Sequence, residues 1–181
     1  METIIAILRG INVSGKNKIP MAELKALYEK AGFKNVATYI QSGNVVFSSS
    51  EKASKDLEEK IQQLVFKKWK YSVPVIVRSA EELQTVVDRN PFLKMKGIDL
   101  EKLHVTFLAE NPTKENLDKI KAYIYSPDEF IIDGREVYLS CPGGYGNTKL
   151  SNTFFENKLK ATATTRNLRT VNELLRLSRA L

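Results

Sequence analysis

Residues 36–47, VATYIQSGNVVF, are the stretch of sequence that decides the fold. Two runs rich in β-branched and aromatic residues, 36–41 and 44–47, flank the pair Ser42-Gly43. Such runs around a short glycine turn are typical of a β-hairpin, because glycine accepts the backbone angles that a tight turn requires. The stretch therefore predicts two adjacent antiparallel strands, and the segments on either side decide which larger motif contains them.

The segments around this hairpin complete a split βαβ motif. Before it, the apolar run 3–8 predicts a strand, and Pro20 suits the start of a helix that Gly32 ends. After it, apolar residues at helical spacing predict a second helix. A strand follows at 73–77, where Pro74 favours a sheet edge or a strand start. The order β-α-β-β-α-β is the ferredoxin-like arrangement.

A similar order of elements returns in the second part of the chain. Ser79 and Glu82 form a capping box for a connecting helix, and an irregular linker follows at 91–102. A strand at 103–108 and a helix come next, and Asp133-Gly134 predicts a hairpin with a type I′ turn. We therefore predict an α+β fold of two ferredoxin-like halves, with helices packed on antiparallel or mixed sheets. The predicted halves are 1–78 and 79–181, with 79–102 as connecting helix and linker.

Charge is concentrated at the two ends of the chain. The net charge is +7, yet residues 51–140 carry 15 basic and 16 acidic side chains. Residues 1–50 carry 6 basic and 3 acidic side chains, and residues 141–181 carry 7 and 2. This distribution fits a solvated basic surface, and it equally fits two ends that bind one polyanion.

Composition excludes several classes of protein. No apolar run approaches the roughly 20 residues of a membrane-spanning helix, and the acidic start does not fit a signal peptide, so we expect a cytoplasmic protein without membrane partners. The single cysteine, Cys141, excludes an internal disulfide, and with a single histidine, His104, it cannot form a Cys/His zinc site. No nucleophile stands near a base at a known spacing. The sequence thus predicts no metal or cofactor, identifies no catalytic residue and leaves open whether the protein is an enzyme.

Residues 9–18, RGINVSGKNK, form the first candidate binding loop. The segment 10–16 fits the G-x-x-x-x-G-K frame of a phosphate-binding P-loop. Asn17, however, stands where that loop needs a magnesium-binding hydroxyl, and the helix begins too late. We therefore interpret the segment as an anion-binding loop, in which the glycines allow successive backbone N–H groups to point inward and the lysines and arginine add positive charge. The alternative is a solvent-exposed connection without a binding role. The candidate residues of this loop are Arg9, Gly10, Asn12, Gly15, Lys16, Asn17 and Lys18.

Three further segments supply candidate residues. The loop 142–149 again combines glycines with an amide and a lysine, and we expect Asn147 or Thr148 to cap the helix after it. If the halves are related, this loop and the first one come from corresponding regions, although one follows a first strand and the other a third. The amide-rich hairpin turn and the segment before the last helix provide the other groups, including a guanidinium that could bind phosphate. The candidates are Gln41, Ser42, Asn44, Tyr145, Asn147, Lys149, Arg166 and Asn167.

Four motifs, RGINVSGKNKIPM, TYIQSGNVVF, GYGNTKLS and ATATTRNLRTV, resemble the bacterial family DUF1697, whose function is unknown. The resemblance covers essentially the whole chain and implies an α+β fold of two ferredoxin-like units. The family usually has a second glycine where this chain has Ser14, and an aromatic residue where it has Leu168. The resemblance supports the fold and the site but implies no activity.

These observations converge on one functional hypothesis and two alternatives. The hypothesis is a phosphorylated ligand, in the first place nucleic acid, bound in a basic cleft between the halves, with Tyr39, Phe47 and Tyr145 available to stack on bases. The first alternative is an enzyme that acts on a small phosphorylated or nucleotide-like substrate. The second is a protein-interaction scaffold. The sequence leaves the oligomeric state undetermined.

Overall fold

The computed structural model describes residues 1–181, which form eight β-strands and six α-helices. Internal contacts divide the chain into two compact units, Met1–Thr85 with Glu173–Leu181, and Val86–Asn172. We call them the first half and the second half. The domain boundaries expected from the sequence, 1–78 and 79–181, differ from these units and stay a prediction.

The first half contains one four-stranded antiparallel sheet with the strand order β2-β3-β1-β4. This order confirms the ferredoxin-like arrangement. In it, β1 lies between β3, the second strand of the hairpin, and β4, the strand that follows the second helix. The predicted hairpin is present, and its turn occupies residues 40–43. The elements are β1 (Glu2–Leu8), α1 (Met21–Lys30), β2 (Lys34–Tyr39), β3 (Asn44–Ser49), α2 (Lys55–Trp69) and β4 (Val75–Ser79).

Apolar spacing explains how this half packs. β1 is buried without interruption from Ile4 to Leu8, as expected for a central strand. On α2 the buried residues Leu57, Ile61 and Val65 recur every fourth position and cover one face of the sheet. Ser54 starts this helix, since its side chain accepts a hydrogen bond from the backbone N–H of Leu57. The hydrophobic pattern thus sets which face of each helix meets the sheet.

The second half repeats the architecture with the strand order β6-β7-β5-β8. All neighbouring strands are antiparallel. The elements are β5 (Leu103–Leu108), α4 (Lys114–Ile120), β6 (Glu129–Asp133), β7 (Glu136–Ser140), α5 (Asn152–Leu159) and β8 (Ala163–Asn167). β8 was not predicted, because its polar run resembles a turn before a helix.

One helix follows the last strand of each repeat. It is α3 (Ala80–Asp88) after β4 and α6 (Leu168–Arg179) after β8. The predicted capping box of α3 is present: the N–H of Ser79 donates to Glu82 at 2.8 Å, and the N–H of Glu82 donates to the Ser79 hydroxyl at 3.1 Å. Asn167 caps α6 by accepting from the N–H of Thr170 at 2.7 Å. Each last strand therefore runs directly into a capped helix.

Two smaller expectations concern the second half. The linker before β5 is irregular as predicted, apart from short 3₁₀ turns at Pro91–Lys94 and Leu100–Lys102. At the β6–β7 turn only Gly134 has a positive φ, +61°, whereas a type I′ turn needs a positive φ at both central residues. The turn therefore fits type II′, and the prediction of type I′ was wrong.

No helix is both long enough and apolar enough to cross a membrane.

Candidate functional site

The loop between β1 and α1 folds into a small hairpin of its own. The backbone N–H of Lys16 donates to the carbonyl of Val13 at 2.9 Å, and these two residues form an isolated β-bridge. Between them Ser14 and Gly15 have φ values of +50° and +74°. Two consecutive positive φ values are the signature of a type I′ turn. We call residues 9–19 the lysine loop.

The side chain of Asn12 fixes the lysine loop from inside. Its amide nitrogen donates to the carbonyls of Ile19 and Gln41, both at 2.9 Å, and its amide oxygen accepts from the N–H of Ile19 at 2.8 Å. Asn17 adds a bond from its amide nitrogen to the carbonyl of Gly10 at 3.1 Å. In a helix or strand, backbone groups would bond to one another. Here the two side-chain amides provide hydrogen bonds to the loop backbone instead, and they give the loop a defined shape.

The turn of the first hairpin lies against the lysine loop. The N–H of Leu8 donates to the carbonyl of Gly43 at 2.8 Å, and a Cβ atom on Gly43 would lie 2.8 Å from a side-chain carbon of Ile11. Gly43 also has a φ of +89°, so both space and backbone require glycine here. The structure therefore brings the motifs RGINVSGKNK and QSGN together within one half.

The amides at this site serve mostly to hold the protein together. Asn44 is fully buried and donates to the carbonyl of Tyr39 at 3.0 Å and to the hydroxyl of Ser42 at 2.9 Å. Asn12 and Asn17 are engaged as described above. The groups left facing solvent are Lys16, Lys18 and Gln41. Among the candidates of this half, these three are the ones available to contact a ligand.

The lysine loop does not have the geometry of a P-loop. In a P-loop the lysine opens the helix, so that the helix N-terminus faces the phosphates. Here α1 begins at Met21, and the cap position, Pro20, makes no side-chain capping bond. The backbone N–H groups of Asn12 and Lys16 are both used within the loop. What the loop offers an anion is therefore chiefly charge.

Neither Lys16 nor Lys18 forms an ion pair. Other lysines of the first half do so, for example Lys68 with Glu23 at 3.2 Å. Arg9 lies at the start of the loop, where its backbone N–H donates to the carbonyl of Pro74 at 2.9 Å. Two lysines without a carboxylate partner on a hydrogen-bonded loop form a local concentration of positive charge.

The glycine-rich loop of the second half, residues 141–151, has a different structure. It contains a 3₁₀ turn at Tyr145–Asn147, and the Tyr145 ring stacks on His104 with centroids 4.8 Å apart. The amide nitrogen of Asn147 donates to the carbonyl of Gly143 at 3.1 Å. Asn147 therefore closes the loop locally rather than starting a helix.

The helix after this loop is capped by a residue that we did not predict. Ser151 accepts from the N–H of Phe154 at 3.1 Å and starts α5. Thr148 instead donates its hydroxyl to Asp128 at 2.6 Å and accepts from the N–H of Leu150 at 3.1 Å. The expectation that Asn147 or Thr148 caps the helix was wrong, because both side chains are used inside the loop.

Arg166 is buried, unlike the surface cations. It is 8% exposed, and its Nη1 donates to the Thr164 hydroxyl and to the Thr165 carbonyl, both at 2.9 Å. Burial lowers the pKa of Arg166 to about 10, which leaves the group charged at neutral pH. With Asn167 capping α6, these two candidates hold the end of β8. Lys149 is exposed, and its ammonium lies 5.4 Å from the centroid of the Tyr125 ring.

The two candidate loops occupy different positions in the repeated motif. The lysine loop follows the first strand of its half, and the corresponding connection in the second half is the short segment 109–113. The loop 141–151 follows a third strand instead. This agrees with the placement after a first and a third strand that the sequence predicted, and the two loops therefore do not come from corresponding regions. The two loops are independent elaborations of the motif.

Burial keeps the single histidine and the single cysteine in their uncharged forms at neutral pH. Burial is the main cause that lowers the pKa of His104, while the backbone of Lys102 opposes it. Burial likewise raises the pKa of the Cys141 thiol, against a hydrogen bond with Thr148, so the thiol is protonated at neutral pH. Phe47, which we considered as a stacking group, packs in the core with Tyr28 at a centroid distance of 5.2 Å. No cluster of three or more histidine, cysteine, aspartate or glutamate side chains could hold a metal ion.

Comparisons with known proteins agree with this architecture. The model of a family described as "Protein of unknown function (DUF1697)" matches residues 1–138. Among solved structures, the conserved bacterial protein SP0830 from Streptococcus pneumoniae is similar, with a TM-score of 0.73 and 20% sequence identity. The match covers 98% of each chain and, at this identity, shows the fold alone. No curated protein matches the chain.

Proposed function

Since the chain belongs to the DUF1697 family, whose function is unknown, the site itself must suggest a role, and we propose that this cytoplasmic protein binds nucleic acid through its lysine loop. Lys16 and Lys18 contact backbone phosphates in this proposal, and Arg9 adds to the positive potential. Gln41, which is exposed beside the loop, supplies a directional contact to a base or a sugar hydroxyl.

The observation that carries the proposal is that two unpaired lysines stand on a loop whose backbone is held by side-chain hydrogen bonds. Flexible lysines lose conformational entropy on binding, whereas the backbone that carries these two is already fixed by Asn12 and Asn17. Their charge is not neutralised by a neighbouring carboxylate. Phosphate groups are the natural partners of such an arrangement, since each contact releases condensed counterions from the nucleic acid.

The second half supplies further proposed contacts. Lys149 is exposed and contacts a phosphate in this proposal, and Tyr145 and Asn147 lie in the same loop. Arg166 and Asn167 support this region through the strand end and the helix cap described above. These contacts are secondary to the lysine loop, because the amide of Asn147 is engaged within its own loop.

Fluorescence anisotropy with a labelled single-stranded oligonucleotide of about 20 nucleotides tests the proposal, with salt varied because affinity should fall steeply with ionic strength. The doubly substituted variant Lys16→Glu/Lys18→Glu should weaken binding at least about tenfold and reduce the salt slope by roughly 1.4, about 0.7 for each lost phosphate contact on a single strand.

Lys52→Glu/Lys67→Glu is the matched control, since both lysines are exposed in the same half and form no ion pair. It changes the net charge equally and should alter affinity less than about twofold. Equal losses in the two variants would show a diffuse charge effect and reject the site.

A mononucleotide separates this proposal from the enzyme alternative. A nucleic-acid-binding site gains affinity as the oligonucleotide grows, because more phosphates are contacted. Saturation by a mononucleotide, without a gain for longer chains, would favour a small-substrate enzyme instead.

A double-mutant cycle between Lys16→Glu and Lys149→Glu asks whether both loops act on one bound molecule. Coupling above about 0.5 kcal/mol indicates a shared ligand, whereas additivity indicates independent contributions.

A further inference from the structure

Each sheet has two edge strands, and three of these four edges are protected against added strands. On β4 the backbone N–H of Val77 is bonded by the buried carboxylate of Glu58 at 2.9 Å. On β8 the N–H of Ala163 is bonded by Glu156 at 3.0 Å. In both halves a glutamate from the second helix of the motif therefore occupies the free edge. Exposed N–H and C=O groups of an edge would otherwise pair with another chain.

The edge strand β2 is protected by irregularity. Its pairing with β3 shifts register between Lys34 and Ala37, and Asn35 within that bulge has a φ of +52°. An exposed lysine at the start of the strand adds charge. Bulges and lysines are recognised devices that prevent an edge from accepting a further strand.

The fourth edge, β6, has none of these devices. It pairs with β7 in an unbroken register from Glu129 to Asp133. In a hairpin with a two-residue turn, the residues that flank the turn form a hydrogen-bonded pair. The alternation that follows directs the N–H and C=O groups of Phe130 and Ile132 outward. No side chain of the protein bonds to these groups, and Ile131 between them is 40% exposed.

An apolar groove of about 400 Å³ runs along this strand. Phe92 and Met95 line it together with Lys121 and the segment Tyr123–Tyr125. Ile124 in that segment is 81% exposed, and Met95 is 46% exposed. A free strand edge with apolar pockets beside it is the architecture that proteins use to bind an extended peptide by β-augmentation.

Charges around the groove decide which partner fits. Asp128 and Glu129 lie at one end of β6, and Asp133, which forms an ion pair with Arg89 at 3.0 Å, lies at the other. A second copy of β6, paired antiparallel about Ile131, would place Glu129 opposite Asp133, so that each end would hold two carboxylates for the single cation Arg89. A partner strand with an apolar centre and basic residues at its ends avoids this repulsion.

We propose that β6 is a docking site for an extended peptide segment of a protein partner, with a basic-apolar-basic pattern, which pairs with Phe130 and Ile132 as a fifth strand of the second sheet. The proposal is independent of the lysine loop, which lies in the other half.

The synthetic peptide acetyl-Lys-Val-Ile-Val-Lys-amide is the probe, with heteronuclear NMR of the full-length protein as the readout. Its central residue faces Ile131, its lysines face the two acidic ends, and its valines carry the backbone bonds to the edge. We expect saturable shifts centred on Phe130, Ile131 and Ile132, with a Kd of about 1 mM or lower, as fits a short peptide.

Two control peptides separate backbone pairing from charge. N-methylation of both valines removes the backbone donors but keeps side chains and charge, and should weaken binding at least about tenfold. The peptide with glutamates in place of lysines should also bind more weakly. Equal binding of all three peptides would overturn the proposal, as would the absence of shifts at β6.

Protein variants complete the test. Ile131→Lys places a cation at an exposed position of the edge and should abolish binding, while Lys34→Glu on the β2 edge should leave it unchanged. Thermal unfolding serves as the control for the fold: a melting temperature of Ile131→Lys equal to that of the wild type shows that the variant is folded. If sedimentation shows a wild-type dimer that Ile131→Lys disrupts, the occupant is a second copy and the proposed partner is wrong.

Discussion

The two halves share one strand order but differ in where each departs from the common pattern. In the first half the elaborated connection follows β1, and in the second it follows β7. The bonds that define the pattern are the same: Leu8 donates to Gly43 at 2.8 Å in one half, and Leu108 donates to Arg135 at 2.8 Å in the other. Strand pairing fixes which residues are neighbours, and the loops beyond the strand ends are free to acquire separate roles.

The edges of the sheets show the same division between constant and variable parts. Glu58 and Glu156 protect the last strand of each half in the same way. The opposite edges differ, since β2 is bulged and β6 is regular. The protected edges belong to the scaffold, whereas the unprotected edge is where the second half has a surface that the first half lacks.

The hairpin glycines of the two halves should differ most strongly when substituted. Gly43→Ala forces a Cβ to within 2.9 Å of the Leu8 Cβ and strains a φ of +89°. We expect a loss of about 3 kcal/mol of unfolding free energy, because buried neighbours cannot move away and the backbone strain adds to the clash.

Gly134→Ala in the second half is the matched comparison. It meets only Asn111 at 3.6 Å, so backbone strain alone should cost about 1 kcal/mol. Urea unfolding of both variants, followed by circular dichroism, measures the difference. Equal costs would show that the two hairpins are supported in the same way.

Asn12→Ala should destabilise the first half by about 2 kcal/mol, since it leaves backbone groups of Ile19 and Gln41 without their bonds. Fluorescence of Trp69, the single tryptophan, follows unfolding of this half. Hydrogen exchange should become faster throughout the lysine loop.

Asn147→Ala in the loop of the second half removes a single exposed hydrogen bond. Its effect should stay within about 0.5 kcal/mol. A large cost there, with little cost at Asn12, would reverse the roles that we assign to the two loops.

His104 should give the second half a pH dependence that the first half lacks, since it is the single histidine. Burial lowers its pKa below the ordinary value of 6.5, so the unfolded chain binds a proton more readily than the folded one. Its contribution to stability is therefore complete above the ordinary pKa and is lost as the pH falls below it.

His104→Phe keeps an aromatic ring against Tyr145 but cannot titrate. Between about pH 7 and about pH 5.5, where few other side chains titrate, the wild type should lose more stability than this variant. Parallel losses in both proteins would assign the pH dependence to other groups.

Lys16→Ala/Lys18→Ala should have the smallest effect on stability, within about 0.5 kcal/mol, because both side chains are exposed and unpaired. The same variant should still weaken oligonucleotide binding. Thermal unfolding beside the binding assay separates the two readouts, and a marked fall in melting temperature would mean that the lysines support the fold.

Much of the fold followed from local sequence signals. Hydrophobic spacing predicted both helices of the first motif, and the pair Ser42-Gly43 marked its hairpin. The capping box at Ser79 was visible because its two partners are only three residues apart. β8 escaped prediction, since its strand character comes from pairing with β5, almost 60 residues away in the chain, and not from its own composition.

The candidate site was predictable only as a set of residues. Glycine, asparagine and lysine marked the lysine loop, but their sequence does not say which side chains face solvent. Asn12 and Asn44 resembled ligand-binding amides, and the structure uses them to bond carbonyls of their own and neighbouring loops. Arg166 resembled a surface phosphate contact and is buried. The roles of these three residues depend on neighbours that no local pattern identifies.

The sequence by itself determined the periodic elements, the repeated order of strands and helices, and the excess of charge at both ends, because these depend on spacing and composition. The tertiary structure alone decided which amides are used internally, which lysines remain unpaired and which strand edge stays open. Those properties depend on contacts between residues distant in the chain, and a contact exists only once the strands have paired.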